Sequence, residues 1–269
     1  MQVYRGLDIG TAKPSMAERA RVPHHLIDVR EITEPFDAAQ FVRMAHDAVK
    51  DIQGRGRVPL LCGGTGLYFK AFHEGLGDSP PANTSLRAEL ENIPMPELLR
   101  ELADHDPRTY ETIDRQNPRR VIRAIEVIRL TEKPFSQQRA DWNADPGMDE
   151  PKRAFGVSRS RDDLHRRIER RVDEMFRRGL VGETEELLKC GLGENPIAMQ
   201  ALGYRQVVEH LRGESSLAET IELVKLRTRQ FAKRQMTWFR RQARLRWIEL
   251  GEEEPASASA KRLRDELGG

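Results

Sequence analysis

The stretch from Phe36 to Ala71 constrains the fold most, because its pattern changes from helical to extended and back. Its first part has apolar residues at helical spacing and ends at the glycines 54 and 56. Val58 to Cys62 is a short apolar run that predicts a buried strand, and Leu67 to Ala71 predicts a second helix. A helix, a strand, a glycine loop and a helix in this order indicate a parallel α/β sheet.

The glycine loop between that strand and that helix is a candidate ligand site. It consists of Gly63, Gly64, Thr65 and Gly66. Glycines let backbone N–H groups approach an anion, the next helix adds its positive end, and Thr65 supplies a hydroxyl. Loops of this composition also occur for turn geometry alone, and the residues by themselves favour that interpretation.

The N-terminal stretch from Gln2 to Pro14 predicts an irregular loop, because two glycines and a proline break a helix. Its polar side chains can grip an anion and hydrogen-bond a substrate: Tyr4, Arg5, Asp8, Thr11 and Lys13. The alternative is a surface loop with solvated charges. Farther on, residues 25–29 predict a buried strand or its end.

A turn-rich segment at residues 74–85 marks a boundary, and residues 86–139 have a helical pattern. Asn117 and Pro118 are a cap and a first helical residue. Four residues after them form an apolar face: Val121, Ile122, Ile125 and Ile128. Arginines on the other sides can meet phosphates or simply be solvated: Arg119, Arg120 and Arg123. Residues 141–151 are predicted to be the return linker.

Residues 154–157 predict a strand, and Ser160 predicts the cap of a following helix. That helix has a buried stripe formed by Leu164, Ile168, Val172, Met175 and Phe176. Its arginines include Arg161 and Arg167. A charged helix of this kind is usually only solvated, although in kinase-like folds an arginine helix can close over phosphates.

Residues 225–246 contain nine Lys or Arg among twenty-two, interleaved with Phe231, Trp238 and Phe239. Phosphate neutralisation combined with aromatic stacking is typical of RNA binding. A basic helix on a membrane surface is the competing interpretation, but the apolar residues form no single wide face. Residues 246–250 predict a last strand, and the tail after Gly251 is expected to be short and peripheral.

The composition excludes several classes of protein. The 269 residues are 38% hydrophobic, and no run of 18 apolar residues could span a membrane. The net charge of +2 does not by itself indicate nucleic acid. Without an apolar signal region we expect a cytoplasmic protein, and Cys62 and Cys190 are expected to be ordinary buried thiols.

Several long motifs, in one order, carry a family resemblance. They are residues 2–14 (QVYRGLDIGTAKP), 23–28 (PHHLID), 63–68 (GGTGLY), 198–205 (AMQALGYR) and 233–240 (KRQMTWFR). Over about 250 residues the chain resembles the tRNA dimethylallyltransferase family, which prenylates N6 of adenosine 37 beside the anticodon.

The resemblance implies a P-loop-kinase-like parallel sheet core, formed by residues 1–84 and 150–269, with a helical insertion at residues 85–149 that grips tRNA. It implies transfer of a dimethylallyl group from dimethylallyl diphosphate, assisted by Mg²⁺. The expected partner is the anticodon stem-loop, reached by flipping the adenine, and the chain is expected to act as a monomer away from membranes.

Site residues follow from the same resemblance and from the loops above. Thr65 is the predicted catalytic residue. Substrate contacts are predicted at Gln2, Asp8, Thr11, Lys13, Gly63, Gly64, Thr65, Gly66, Arg161 and Arg167. Contacts with tRNA are predicted at Met1, Gln2, Thr65, Arg87, Arg119, Arg120, Val121, Ile122, Arg123, Gln200, Ala201, Leu202, Gly203, Tyr204, Arg205, Lys233, Arg234, Gln235, Met236, Thr237, Trp238, Phe239 and Arg240.

One departure concerns the start of the sequence. Family members begin with a strand, a phosphate loop and an Asp-Ser-x-Gln motif, of which Met1 and Gln2 match the last two positions. The sequence as printed therefore lacks the family's phosphate loop and base, and we expect it to be unstable or inactive as written. The favoured explanation is that Met1 is an internal methionine of a complete enzyme. The alternatives are a non-catalytic tRNA-binding remnant and a kinase-like phosphotransferase.

Overall fold

The computed structural model describes residues 1–140 and 154–268. The chain forms two compact units. The first unit comprises Met1–Tyr68 and Gly147–Gly269, and the second unit comprises Phe69–Pro146. The predicted linker at residues 141–151 lies outside the described residues.

The helices of the first unit include the predicted ones and others that the sequence patterns did not predict. They are α1 (Met16–Arg21), α2 (Ala38–Gly54), the start of α3 (Gly66–Glu74), α9 (Arg161–Arg177), α10 (Leu180–Lys189), α11 (Tyr204–Leu211), α12 (Leu217–Gln242) and α13 (Ala256–Gly268). Short 3₁₀ turns at Leu192–Glu194 and Ala198–Gln200 lie between α10 and α11. The predicted cap of α9 is confirmed, because the Ser160 side chain accepts a hydrogen bond from the Asp163 N–H.

The sheet of the first unit has two described strands, β1 (Phe155–Ser158) and β2 (Arg246–Glu249), which pair in parallel. Phe155 lies opposite Arg246, and Gly156 lies opposite Trp247. A Cβ at Gly156 would lie 2.7 Å from the Trp247 ring, so the glycine lets the indole cover the strand. The strands predicted at residues 154–157 and 246–250 are confirmed, as is an α/β fold that is rich in helix.

The core of the first unit includes part of the N-terminal loop. Val3, Tyr4 and Leu7 are buried together with apolar residues of α10 and α11. The prediction of an irregular segment is confirmed, but the alternative of a merely solvated loop does not fit its buried side chains.

Two predicted strands are wrong. Val58 and Leu60 are 79% and 76% exposed, and residues 58–62 form no strand. Residues 25–29 form no strand either, with Leu26 and Asp28 in the left-handed region at φ 62° and 55°. A short apolar run predicts burial only when neighbouring elements cover it, and in the described part of the chain nothing pairs with residues 58–62 as a strand.

The cysteine prediction is also wrong, since Cys62 and Cys190 are both free and exposed. Cys62 lies at the end of the same exposed run, and Cys190 follows directly after the last turn of α10. Both positions lie outside the packed faces of their segments.

The second unit contains the rest of α3 with α4 (Thr84–Glu91), α5 (Met95–His105), α6 (Pro107–Thr112), α7 (Pro118–Thr131) and α8 (Phe135–Gln138). The predicted cap is confirmed, because the Asn117 side chain accepts a hydrogen bond from the Arg120 N–H and Pro118 is the first helical residue. The apolar face of α7 packs against α4 and α5 around Leu90, Leu98 and Leu102. The helical pattern predicted over residues 86–139 is confirmed.

The tail is more ordered than the sequence predicts. It forms α13, whose Arg262 donates to the Glu249 carbonyl at 3.1 Å. Arg246 of β2 pairs in turn with Glu266 of α13. Across residues 1–140 and 154–268, no helix is both long and apolar enough to cross a membrane.

Candidate functional site

The N-terminal loop is held in shape by its own polar groups. The Gln2 side-chain amide donates to the Thr11 carbonyl at 3.0 Å and to the Ala12 carbonyl at 3.2 Å. The Thr11 hydroxyl donates to the Leu7 carbonyl at 2.6 Å. Ala12 has φ 47°, an uncommon left-handed conformation for a residue other than glycine. Gln2 and Thr11, both predicted substrate contacts, therefore also stabilise the loop.

Lys13 is not an exposed anion-binding group in this structure. Its ammonium is buried and pairs with the carboxylates of Asp8 and Asp28 and with the Tyr4 carbonyl. Arg19 donates to the other oxygen of Asp28 at 2.7 Å. Burial acts to raise the pKa of Asp28, but the hydrogen bonds and charges of Lys13 and Arg19 outweigh it and hold this pKa below its usual value.

A partly buried carboxylate and a buried phenol contact the same loop from the other side. Glu183 of α10 accepts the Ile9 N–H at 2.9 and 3.0 Å. The Tyr204 hydroxyl accepts the Gly10 N–H at 3.0 Å and donates to Glu183 at 2.5 Å. Burial, followed by the nearby Glu183 carboxylate, raises the pKa of Tyr204 far above its usual value. Tyr204 is therefore a neutral, fully buried hydrogen-bonding group.

The glycine loop lies against the C-terminal half of α12. The Gln235 amide donates to the Gly64 carbonyl at 2.9 Å. A Cβ at Gly66 would lie 2.1 Å from the Trp238 ring, so the indole packs directly on the first residue of α3. Thr65, between these contacts, is exposed. The structure thus brings together two motifs that the sequence predicted to be functional.

Tyr68 packs behind the glycine loop. Its ring stacks on Phe41 with centroids 4.3 Å apart and meets Phe36 edge-on at 6.3 Å. Burial is the main cause that raises the pKa of Tyr68 to about 12. The loop therefore has a rigid aromatic support.

Helix α12 provides the basic surface next to this loop. A groove of about 390 Å³ on it is lined by Lys233, Arg234, Thr237, Trp238, Arg241 and Gln242. Phe231 is exposed, and the Arg234 guanidinium lies 5.9 Å from its ring centroid. Cations, an exposed aromatic ring and a concave surface suit an RNA backbone with an unstacked base.

The opposite half of α12 is joined to α9. Lys225 pairs with Asp173 at 2.7 Å, and Arg229 pairs with Glu169 at 2.7 Å. Of the two predicted diphosphate contacts on α9, Arg161 is exposed, whereas Arg167 pairs with Asp163 and donates to the Glu252 carbonyl. Arg167 would have to exchange these partners to bind a diphosphate.

In the second unit, two predicted tRNA contacts converge on one carboxylate. Glu126 of α7 is fully buried, and it accepts from Arg87 at 2.9 and 3.0 Å and from Arg123 at 2.6 Å. It also accepts the Asn83 N–H at 2.7 Å. Burial acts to raise the pKa of Glu126, but these donors outweigh it and lower the pKa. The two arginine side chains keep part of their surface exposed beside this anion.

Four predicted tRNA contacts are instead core residues. Val121, Ile122, Ala201 and Tyr204 are buried, so none of them presents a face to nucleic acid in this structure. The charged residues close to them in the sequence remain exposed, namely Arg119, Arg120 and Arg205. The physical reason is packing, since α7 and α11 turn their apolar sides inward and leave the arginines outside.

The remaining predicted residues are distributed as follows. Exposed ones are Met1, Asp8, Gly63, Thr65, Gln200, Lys233, Arg234, Thr237 and Arg240, and partly buried ones are Leu202, Gln235, Met236, Trp238 and Phe239. Gly203 is buried at φ 96°, at the start of α11.

Glu126 and Glu183 were not predicted from the sequence. For Glu126 a signal existed, because an acid stands inside the apolar run 121–128 of α7. For Glu183 there was none, because its partner Ile9 lies 174 residues away in the chain.

The described residues do not fit a protein-held metal ion. No three His, Cys, Asp or Glu side chains within residues 1–140 and 154–268 gather to hold one. The carboxylates of Asp8 and Asp28 are already neutralised by Lys13 and Arg19. Mg²⁺ needs oxygen ligands that are free of such partners.

The chain resembles known proteins over nearly its whole length. The family model described as IPP transferase matches residues 2–242. The protein named tRNA dimethylallyltransferase 2 of Geotalea uraniireducens is 44% identical over 94% of this chain and 82% of its own length. The tRNA dimethylallyltransferase of Geobacter metallireducens is 46% identical over 93% of this chain and 82% of its own length.

The chain is also similar to solved structures of enzymes with related names. A tRNA isopentenylpyrophosphate transferase of Staphylococcus epidermidis has a TM-score of 0.65 at 31% identity and covers 98% of this chain and 88% of its own. The Bacillus halodurans tRNA isopentenylpyrophosphate transferase has a TM-score of 0.63 at 36% identity, over 99% and 87% of the two chains. A eukaryotic dimethylallyltransferase acting on tRNA has a TM-score of 0.75 at 23% identity, over 98% and 69%, and shows the shared fold.

Proposed function

The chain belongs to the IPP transferase family, and from that premise we propose that it transfers a dimethylallyl group from dimethylallyl diphosphate to N6 of adenosine 37 in tRNA. The observation that carries this proposal is the contact between the glycine loop and α12. Gln235 and Trp238 place a basic, aromatic surface directly beside Thr65. The surface proposed to bind RNA and the loop proposed to hold the reacting group thus lie side by side.

The reaction forms a bond between N6 of the adenine and the first carbon of the dimethylallyl group. The bond from that carbon to the diphosphate oxygen breaks, the diphosphate leaves with the electron pair, and N6 loses a proton. Cations that face the leaving group stabilise its growing charge. In this chain, Arg161 is available for that role, whereas Lys13 is occupied by two carboxylates.

The proton of N6 needs an acceptor. Asp8 lies in the predicted substrate loop and Asp28 contacts it, and both carboxylates are paired with Lys13. Lys13 and Arg19 hold the pKa of Asp28 below its usual value, so Asp28 is a poor base while that pairing lasts, and the Asp8 carboxylate is occupied by the Lys13 ammonium. We assign neither of them to proton removal.

The proposed partners are the anticodon stem-loop, gripped by α12 and by the exposed arginines of the second unit, and dimethylallyl diphosphate at the glycine loop. We further propose that β1 and β2 belong to a P-loop-kinase-like sheet and that the chain acts as a monomer in the cytoplasm. Mg²⁺ accompanying the diphosphate stays a prediction that rests on the family.

The test is transfer of radiolabel from dimethylallyl diphosphate to an unmodified tRNA transcript with adenosines at positions 36–38. The label should map to nucleotide 37 by mass spectrometry, and a transcript with guanosine at 37 should take up none. Thr65→Ala should reduce transfer, whereas Thr112→Ala, in the second unit, serves as the control.

Three results would separate the alternatives. Salt-dependent binding of tRNA without transfer would contradict the proposal and favour a binding remnant. Transfer of label from the γ-phosphate of ATP would favour a phosphotransferase. Label at an adenosine other than 37 would support prenyl transfer but would contradict nucleotide 37 as the site of modification.

A further inference from the structure

The contact of Glu183 and Tyr204 with the N-terminal loop is built from main-chain hydrogen bonds. The Ile9 N–H donates to both oxygens of Glu183, and the next N–H, that of Gly10, donates to the Tyr204 hydroxyl. Tyr204 donates its own proton to Glu183, so every polar atom in this group has a partner. Such a closed network fixes the backbone of two consecutive loop residues.

Sterics reinforce this arrangement. A Cβ at Gly10 would lie 2.5 Å from Cε2 of the Tyr204 ring and 3.0 Å from a methyl group of Leu180. Real Cβ atoms do not approach that closely, so the tyrosine seats the loop only because residue 10 is glycine. The glycine and the phenol are therefore one structural unit.

Two predicted substrate contacts of the loop, Thr11 and Lys13, follow this point in the sequence. Thr11 and Ala12 come directly after Gly10, and their carbonyls accept from the Gln2 amide. Glu183 and Tyr204 hold one end of this short segment, and Gln2 holds the other. A displacement of Ile9 and Gly10 would therefore move Thr11 and Gln2 as well.

We propose that Glu183 and Tyr204 are positioning residues for the transfer reaction. They touch neither substrate nor reacting atoms, and they act by fixing the main chain of Ile9 and Gly10, and through it Gln2 and Thr11. This inference rests on the proposed function, because the loop matters for catalysis only if the loop faces the substrates.

The test compares Tyr204→Phe, which removes one oxygen and keeps the ring, with the wild-type chain. Two quantities are measured: amide exchange at Ile9 and Gly10, and the kcat and KM of prenyl transfer. We expect about 10-fold faster exchange at these two amides. We expect kcat to fall about 10-fold or more with little change in the KM for tRNA, because small displacements of positioned groups cost rate rather than binding.

Glu183→Gln should show the same kinetic pattern, and its matched control is Glu185→Gln, an exposed residue of the same helix. Gly10→Ala should reproduce the loss because its methyl group would overlap the Tyr204 ring. In a double variant with Tyr204→Phe, the two losses should not add, since both variants break one unit.

Unchanged exchange at Ile9 and Gly10 in Tyr204→Phe would overturn the inference, as would faster exchange with unchanged kcat. Faster exchange throughout α10 and α11, together with a lower Tm, would show a merely structural role and would also overturn it. A wild-type chain that transfers nothing would refute the proposed function. In that case faster exchange in Tyr204→Phe would still show that Glu183 and Tyr204 fix the backbone of Ile9 and Gly10, but this would have no role in catalysis.

Discussion

Two clusters in this molecule pair Lys or Arg with Asp or Glu, but one cluster buries its anion and the other buries its cation. In the second unit the anion is inside, since the side chain of Glu126 is 0% exposed while Arg87 and Arg123 are 40% and 27% exposed. In the N-terminal loop the cation is inside, since Lys13 is 3% exposed while Asp8 and Asp28 are 57% and 30% exposed. Each cluster thus presents to solvent the charge opposite to the one it buries.

The difference separates residues that sequence patterns treat alike. Lys13, Arg87 and Arg123 were all predicted to contact a substrate or tRNA. Of these three, only the two arginine side chains stay partly exposed. Glu126 holds Arg87 by Nε and Nη2 and holds Arg123 by Nη1, while Nη2 of Arg123 donates to the Pro80 carbonyl. Lys13 has its ammonium closed off, and its role in this structure is to join Asp8 and Asp28.

The largest effect should come from removing the buried anion. Glu126→Gln leaves two guanidiniums facing a neutral amide that carries its own donors, and we expect a loss of about 2–4 kcal/mol in the free energy of unfolding. Urea unfolding measures this loss, and the exposed Glu111→Gln in the same unit is the control. A loss below that of the control would contradict the view of Glu126 as the centre of the cluster.

The pH dependence of the same variant sharpens the comparison. The pKa of Glu126 is lowered in the fold, so its stabilisation is complete above the unfolded pKa of about 4.3 and is lost as the pH falls through the folded value. The gap in unfolding free energy between wild type and Glu126→Gln should be constant from pH 7 to 5 and shrink below about pH 4. A gap that persists undiminished at pH 3 would show that shape, not charge, sets the stability.

Removing the buried cation should cost less. Lys13→Met leaves Asp28 paired with Arg19 and leaves Asp8 mostly in water, so we expect a loss of about 1–2 kcal/mol by urea unfolding. Lys50→Met, at an exposed site on α2, is the control. If Lys13→Met were more destabilising than Glu126→Gln, the expectation that the buried anion contributes more to stability than the buried cation would be wrong.

Binding of tRNA tests whether the second unit, unlike the Lys13 cluster, presents positive charge to RNA. Arg120 is exposed one helical turn before Arg123 and lies outside the Glu126 cluster, so its loss leaves that cluster intact. Arg120→Gln should weaken tRNA binding a few-fold and lower the slope of log affinity against log salt by about 1. Lys13→Gln and the exposed Arg108→Gln should leave that slope unchanged, and an equal change in Lys13→Gln would break the comparison.

The smallest effect is expected where neither partner is buried. Arg5 and Glu31 form a short pair, yet their side chains are 61% and 57% exposed. Glu31→Gln should change the free energy of unfolding by less than about 0.5 kcal/mol, since water and salt screen such pairs. Thermal unfolding at low and high salt would check this. A loss of unfolding free energy comparable to that of Lys13→Met would mean that the contribution of an ion pair to stability does not depend on burial.

The same distinction between local and distant partners explains what the sequence could predict. The cap at Asn117, the apolar face of α7 and both strands of the sheet depend on nearby residues, and all were predicted correctly. Residues 58–62 were predicted wrongly because burial of an apolar run depends on what packs against it, which the run itself does not encode. Glu183 was missed because its role is defined only by the backbone of Ile9.

The candidate site was predicted in part for the same reason. The glycine loop and the basic segment of α12 were each found from composition, but their contact through Gln235 and Trp238 comes from folding. The polarity of the Lys13 cluster was also beyond the sequence, since a lysine in a polar loop is usually solvated.

Helix α12 has a mechanical consequence. Its 26 residues contain neither glycine nor proline, so it has no built-in joint. Lys225 and Arg229 hold the N-terminal half of the helix against α9, and Gln235 and Trp238 contact the glycine loop about 15 and 20 Å along the axis from Lys225. The helix is therefore a stiff connection between α9 and the glycine loop. A tilt of the helix at one of these two contacts displaces the other contact, because the helix does not bend between them.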